Sequence, residues 1–462
     1  MQKTLLWKIA LIALVTLLLE IPVQMIRGLV SERKQARDSV ITEVARGSSE
    51  AQRIVGPILY VPWMRRSAEA TTTTDDSGRS KTTSKEKIER GHVALLPATL
   101  SMDGKIDLQQ KHRGIYTAHV YTLNATLHGS FALMPGLGVP EGPGTLEWGR
   151  ALLVLGVHDT RGIRERVQID WDGAQPALYP GGVDAAGAPN GIHADLGMLA
   201  VGEAPATHEF RIALSLLGTE RLDIVPIGAT TAVSLASTWP HPSFTGKILP
   251  DAGTTLSADG FAASWRTSHF ATNLAQLHQR CVQSRQCDAF NQHSLAVSFI
   301  QPVDLYQTVE RSVKYGFLFI GLTFAAFFLF EVLLRLAIHP VQYALVGIAL
   351  AIFFLLLISL SEHLGFAPAY AIAAGSCVAL IAYYVGHVLK SMRRGAIFGT
   401  ALSALYGLLY VLLRSEDHAL LMGSLLVFVC VASAMVATRR VDWYALGATP
   451  SDPKGPVAQK SA

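Results

Sequence analysis

Five consecutive apolar runs fill the C-terminal part of the chain, approximately Val313 to Leu336, Val341 to Ser361, Ala367 to Leu389, Ala396 to Leu413 and Ala419 to Ala437, with only a few residues between them. About 20 apolar residues suffice to cross the hydrocarbon of a bilayer as a helix. A soluble core has no use for unbroken apolar helices in such close succession. The block therefore reads as a transmembrane helical bundle, residues 313–437.

A further apolar run, Leu5 to Ile26, opens the chain behind Lys3 and carries Lys8 within it. No small-x-small cleavage site follows it, so it reads as an anchor (residues 1–26) rather than a removed signal peptide. Leu29, Val30, Arg33, Arg37, Val40, Ile41 and Val44 then recur at helical period. The anchor is expected to continue as an amphipathic stalk, residues 27–50, ending near Gly47.

Between residues 51 and 312 no spanning run occurs, and short alternating segments bounded by Gly, Pro, Asp and Asn take over. That is the pattern of strands and turns. The strand candidates are His92 to Leu100, Ile115 to Leu133, Ala151 to Val157, His208 to Leu217, Ala229 to Thr238, Phe261 to Thr267 and Leu295 to Ile300. One helix is expected from Ser268 to Gln283, with Ser268 as cap and Phe270, Leu274, Leu277 and Cys281 on one face. Ser67 to Arg90 and Trp171 to Pro205 lack the apolar content to bury themselves and read as surface loops. The expected fold is thus a mixed membrane protein. It has a six-helix bundle, one N-terminal plus five C-terminal helices, and a large mainly-β, sandwich-like domain between the first and second, followed by a tail at 438–462.

Short loops rich in Lys and Arg stay in the cytoplasm. If the helices alternate, Arg335, Lys390, Arg393, Arg394, Arg439 and Arg440 share one face, which places both termini inside and the β domain outside. Arg27, Arg33, Lys34 and Arg37 run against this scheme, but they precede a long domain, where the charge rule is weak. In an oxidising compartment Cys281 and Cys287 are expected to form a local disulfide. The other two of the four cysteines, Cys377 and Cys430, fall inside apolar runs and read as packing residues.

Hydrophobic residues make up 50% of the chain and charged ones 16%, and the formal charge of +4 is not gathered into a basic patch. Nucleic acid is therefore not an expected partner, while the lipid bilayer and envelope proteins are. Glu362 and His363, with Glu416, Asp417 and His418, form an outer-face polar cluster that reads as solvated loop charge or a docking surface. Metal-ligand spacing is absent from it. Glu331 stands four residues before Arg335 and reads as an interfacial ion pair; Glu20 reads as reaching the headgroups. In WPHPSF the prolines stiffen the chain, so Trp239, His241 and Phe244 form either a rigid corner or an interaction motif. The segment His158 to Gly162 is read as a tight turn and Pro135 to Gly144 as a loop. Small residues at Ala371, Gly375 and Ala379, continuing to Ala382 and Gly386, and at Gly395, Gly399, Ser403 and Gly407, are expected to let two helices pack closely. No catalytic or cofactor-binding motif stands out.

Several strings resemble the CreD family of bacterial inner-membrane proteins: LVSER (Leu29 to Arg33), IVGPIL (Ile54 to Leu59), GIYTAHVY (Gly114 to Tyr121) and STWPHPSFTGKILP (Ser237 to Pro250). The likeness continues through VDLYQTVERSVKYGFLFIGLTFAAFFLFE (Val303 to Glu331), HPVQYALVG (His339 to Gly347), LSEHLGF (Leu360 to Phe366) and VDWYAL (Val441 to Leu446). The Ser67 to Arg90 stretch, the Cys281 and Cys287 pair and the Glu416 to His418 loop depart from the pattern. The resemblance implies a Gram-negative inner-membrane protein made under a two-component regulatory system and linked to envelope integrity and tolerance of β-lactams and envelope-targeting toxins. It implies no known reaction and carries no catalytic residue over.

Overall fold

The computed structural model describes residues 2–74, 80–202, 204–299, 305–334, 338–414 and 419–439. The chain divides into two compact units, Met1–Ala36 with Val303–Ala462, and Arg37–Pro302.

The apolar start and the expected stalk are one helix, Gln2–Gly47, which carries Pro22 inside it and belongs to the first unit up to Ala36. The C-terminal helices are Leu305–Lys314, Gly316–Leu334, Pro340–Leu364, Phe366–Val388, Met392–Arg414 and Ala419–Thr438. Among the described residues four helices are long and apolar enough to cross a membrane, and a bent pair makes a fifth candidate; the apolar stretch Leu421–Val436 is shorter. That pair, Leu305–Lys314 with Gly316–Val332, is bent by 44°, where the sequence suggested an unbroken helix from Val313. Gly316 sits at the break, and a Cβ there would press on the Phe354 ring at 3.2 Å, so this residue both loosens the helix and admits the neighbouring ring. The next helix has a defined start. His339 Nδ1 accepts from Val341 N, Gln342 reaches back to His339 N, and Pro340 opens the first turn.

The small-residue expectation holds near the connecting turn and fails away from it. Between Phe366–Val388 and Met392–Arg414 the close seam is Ala382 and Gly386 against Gly395 and Gly399: a Cβ on Gly395 would lie 2.6 Å from Gly386 Cα, and one on Gly399 2.8 Å from Ala382 Cβ. Gly375 and Gly407 have nothing within 4 Å of such a Cβ, and Ala379 and Ser403 are exposed. Away from the connecting turn rings fill the space, with Tyr370 Oη donating to Tyr406 O at 2.7 Å and the Tyr370 and Tyr410 rings 5.1 Å apart.

The second unit is a β-sandwich. Its nine-stranded sheet runs Pro242–Gly246, Leu295–Phe299, Arg221–Val225, Gln52–Thr74, Arg150–Val157, Gly191–Met198, Ala177–Pro180, with Ser80–Leu95 and Thr145–Trp148 also paired to Gln52–Thr74. The seven-stranded sheet runs Thr255–Ser257, Gly260–Ser268, Thr230–Ser237, Thr99–Arg113, Tyr116–Leu133, Ala206–Thr219, Gln168–Trp171. Strand alternation puts one face inward. In Thr230–Ser237, Thr231, Val233, Leu235 and Ser237 are buried while Thr230, Ser234 and Ala236 face out. Side chains of both sheets, including Ile58, Leu153, Phe131, Trp265 and Phe299, join one core.

Four expectations fail here for physical reasons. Ser67 to Arg90 is not a loop: Leu59 to Thr74 pairs antiparallel with Ser80 to Leu95 along a long hairpin. Backbone ladders need no buried side chain, and Thr-rich strands with cross-strand ion pairs such as Arg66 with Glu86 (3.2 Å) sustain one. Trp171 to Pro205 contains the strands Ala177–Pro180 and Gly191–Met198 and buries Ala186, Ala188 and Ala194; its small residues pack where larger ones would not fit. The helix from Ser268 is broken at Asn273 (φ 50) into His269–Thr272 and Leu274–Ser284, Ser268 makes no side-chain cap, and Phe270 is 88% exposed. The strand expected at His92 to Leu100 is likewise the junction of two, one ending at Leu95 and one starting at Thr99.

Candidate functional site

A groove of about 810 Å³ in the β unit runs between residues 92–98 on one wall and the helix Leu274–Ser284 on the other. The chain supplies its apolar floor from three separate places, Leu137, Ile227 and Leu274, all buried. Its polar side chains are His92, His269, Thr272, His278, Gln279 and Gln283, with no Asp, Glu, Lys or Arg among the described lining residues. His278 is 3% exposed and its Nε2–H donates to Ala186 O at 2.9 Å; burial pushes its pKa down, which keeps the ring uncharged. The Cys281–Cys287 disulfide, with Cα atoms 4.4 Å apart, ties the far end of the helix. Gly187 (φ +76) lets the chain pass beneath it, since a Cβ there would meet Cys281 Sγ at 3.0 Å. The helical wall is thus held at its middle and near its C-terminal end.

The sequence signals missed this groove because no motif marks it. One signal was present: charges crowd the preceding strand up to Arg90 and then stop until Lys105, save for Asp103.

The WPHPSF segment lies elsewhere in the same unit. Trp239 Nε1 donates to His241 O at 2.9 Å and its ring sits 4.8 Å from that of His119; Phe244 meets Phe261 and Trp265 edge-on, both at 5.6 Å. Pro242–Gly246 pairs with Leu295–Phe299 at the sheet edge. Two of the three rings therefore pack inward and His241 stays exposed. The turn at His158 to Gly162 is a tie-point. Asp159 accepts from Arg161 Nη2 (2.7 Å), Arg161 Nε (2.9 Å) and Glu50 N (3.0 Å), while Gln52 Nε2 bonds Asp159 O (2.8 Å) and Leu217 O (2.9 Å). Arg161 beside it, together with the backbone donors, holds the Asp159 carboxyl down at about 2.

In the helical unit Glu331 is 5% exposed and pairs with Lys8 of the opening helix. It also accepts from Tyr343 Oη (2.8 Å) and Ile338 N (3.1 Å). Arg335, the partner expected from spacing, lies outside the described residues. Glu20 accepts from Gln24 one turn on. Glu362 accepts from Tyr306 Oη at 3.2 Å and faces Arg33 Nε at 3.8 Å, whereas His363 is exposed, so the two do not form one cluster. Glu416, Asp417 and His418 lie outside the described residues. Among the described residues no group of three or more His, Cys, Asp and Glu is placed to hold a metal ion.

The family model described as inner membrane protein CreD matches residues 4–444. Inner membrane protein CreD of Escherichia coli (strain K12) is 34% identical over 452 residues, covering 96% of this chain and 95% of that one. A solved structure from Legionella pneumophila, a candidate nutrient binding protein, aligns with 49% of this chain and 77% of its own at 12% identity and a TM-score of 0.22, too low to bear on the fold. With nearly the whole length matched in both comparisons, the chain belongs to the CreD family of inner membrane proteins.

Proposed function

We propose that the chain is a multi-pass protein with six membrane helices, both termini in the cytoplasm and the β unit in the periplasm, and that it supports envelope integrity under stress from β-lactams and envelope-targeting toxins. The work is done by contact rather than by catalysis: the β unit meets envelope components and the helices anchor it. The observation that carries this reading is a well-packed sandwich of its own, Arg37–Pro302, inserted in the chain between the first apolar helix and the rest and bearing a preformed neutral groove. The Cys281–Cys287 disulfide supports the placement, because such bonds persist in oxidising compartments. The likeness to the inner membrane protein of Escherichia coli supports the compartment.

A second reading, ion-coupled transport by the helices, is favoured by the half-buried Lys8 paired with the buried Glu331 and by the 44° bend near Gly316. A deletion strain challenged with a β-lactam separates the two. The whole chain restores tolerance, and a version without the β unit does not; rescue by the helices alone overturns the contact reading in favour of transport. A periplasm-restricted reporter joined near Gly260 is active in the proposed topology and silent in the reverse one.

A further inference from the structure

We infer that the groove between residues 92–98 and Leu274–Ser284 takes up an extended polypeptide segment of a partner protein, which adds as a new strand to the open edge of Ser80–Leu95. This deepens the reading above, in which the β unit acts by contact.

Among the described residues Ser80–Leu95 has one hydrogen-bonded neighbour, Gln52–Thr74, so its other edge is unpaired. Which groups face that edge follows from the register. His92 stands opposite Pro62, which has no N–H, and Pro62 O accepts from Gly149 N (2.7 Å) on the far side. His92 and Pro62 are therefore a non-hydrogen-bonded pair, and in an antiparallel ladder such pairs alternate with bonded ones. His92 and Ala94 thus turn their N–H and C=O groups outward into the groove, while Val93 and Leu95 bond inward. An exposed row of donors and acceptors is a template for another strand.

Proteins guard such edges with charge, and this one is guarded selectively. Lys85, Glu86, Lys87, Glu89 and Arg90 line the protruding part of the hairpin, whereas residues 91–98 carry no Asp, Glu, Lys or Arg. The unguarded stretch is the one that forms the groove wall. Facing it across the groove is a helix fixed by the His278 bond and the disulfide. A free strand edge opposite a rigid helix over an apolar floor is the geometry that binds extended peptides: main-chain bonds give affinity, and pockets for alternate side chains give selectivity. The neutral lining selects a segment with uncharged, apolar residues at alternate positions.

The register supplies the variant. Ala94→Pro removes an outward N–H and leaves the inward ladder intact, and proline is tolerated at such edge positions. Ala275→Trp, on the exposed groove face of the helix, fills the groove instead. The full chain in nanodiscs is used to select from a phage-displayed library of random dodecapeptides, and the melting temperature is recorded for each variant. The wild type is expected to enrich peptides with apolar residues at every second position, and their affinity is expected to fall at least tenfold in both variants with melting unchanged. No enrichment on the wild type, or equal enrichment on Ala94→Pro, overturns the inference. So does a dodecanoate probe that outcompetes the selected peptides and is lost only in Ala275→Trp, which assigns the groove to an acyl chain. Because binding is read on purified protein, its failure leaves the envelope reading standing; tolerance that persists without the β unit removes that reading alone.

Discussion

Lys8 and Glu331, 323 residues apart in sequence, form an ion pair inside the helical unit, with Tyr343 Oη and Ile338 N completing the donors around the carboxylate. Arg33 meets Glu362 about 25 residues further along the first helix, roughly 37 Å at the usual 1.5 Å rise per residue. The two pairs tie the N-terminal helix to the C-terminal helices at points separated by more than the ~30 Å of a bilayer core and less than the ~40–45 Å of core plus headgroups.

Removing one partner of the first pair leaves a buried charge uncompensated. Lys8→Met or Glu331→Gln alone is expected to cost about 3 kcal/mol, and the double variant less than the sum of the two. Thermal unfolding in detergent, followed by size-exclusion fluorescence across the four-member cycle, measures the coupling; additive losses would show that the pair is not coupled.

Gly399→Leu and Gly375→Leu are expected to differ sharply. The first drives a side chain into Ala382 and separates two helices, lowering the melting temperature by several degrees; the second points into space free for 4 Å and changes it little. The same melting assay ranks them, and equal losses would contradict the seam described above.

The cystine makes a chemical prediction. Unfolded protein treated with an alkylating agent is expected to take up two labels before reduction, at Cys377 and Cys430, and four after it. Cys281→Ala with Cys287→Ala is expected to destabilise the β unit by about 2 kcal/mol, the entropy of so short a closed loop. Mass spectrometry and tryptophan fluorescence report the two effects.

Asp159 sets an acid limit on the β unit. Its carboxyl is held at about 2 in the folded protein, against about 3.9 in an unfolded chain, so its stabilisation is complete above pH 5 and drains away as the pH falls toward 2. Asp159→Asn is expected to lower stability by about 2 kcal/mol at pH 6, with the gap to wild type closing by pH 2. Melting curves at pH 6, 4, 3 and 2 follow it, and a pH-independent gap would place the loss elsewhere.

Residue patterns carried the local and periodic features. Apolar runs long enough for a bilayer became helices with ends within a few residues of those expected, because span length and backbone satisfaction are properties of a single segment. Period-two alternation located Tyr116–Leu133 and Thr230–Ser237, and a short apolar run Arg150–Val157, for the same reason. Spacing also brought Cys281 within reach of Cys287.

Tertiary structure decided everything that depends on a distant partner. Ser67 to Arg90 looks solvated by composition, yet its described residues, up to Thr74 and from Ser80, are strand, since a ladder bonds backbones and is indifferent to side-chain polarity. Glu331 is met by Lys8, which reaches it from the opening helix, and no local spacing records that contact. Gly375 and Gly399 carry the same local signal, and only helix crossing determines which of them touches anything. The groove belongs to this second class: its walls come from residues 92–98 and Leu274–Ser284, and no single stretch of sequence records that an unpaired strand edge and a pinned helix stand face to face.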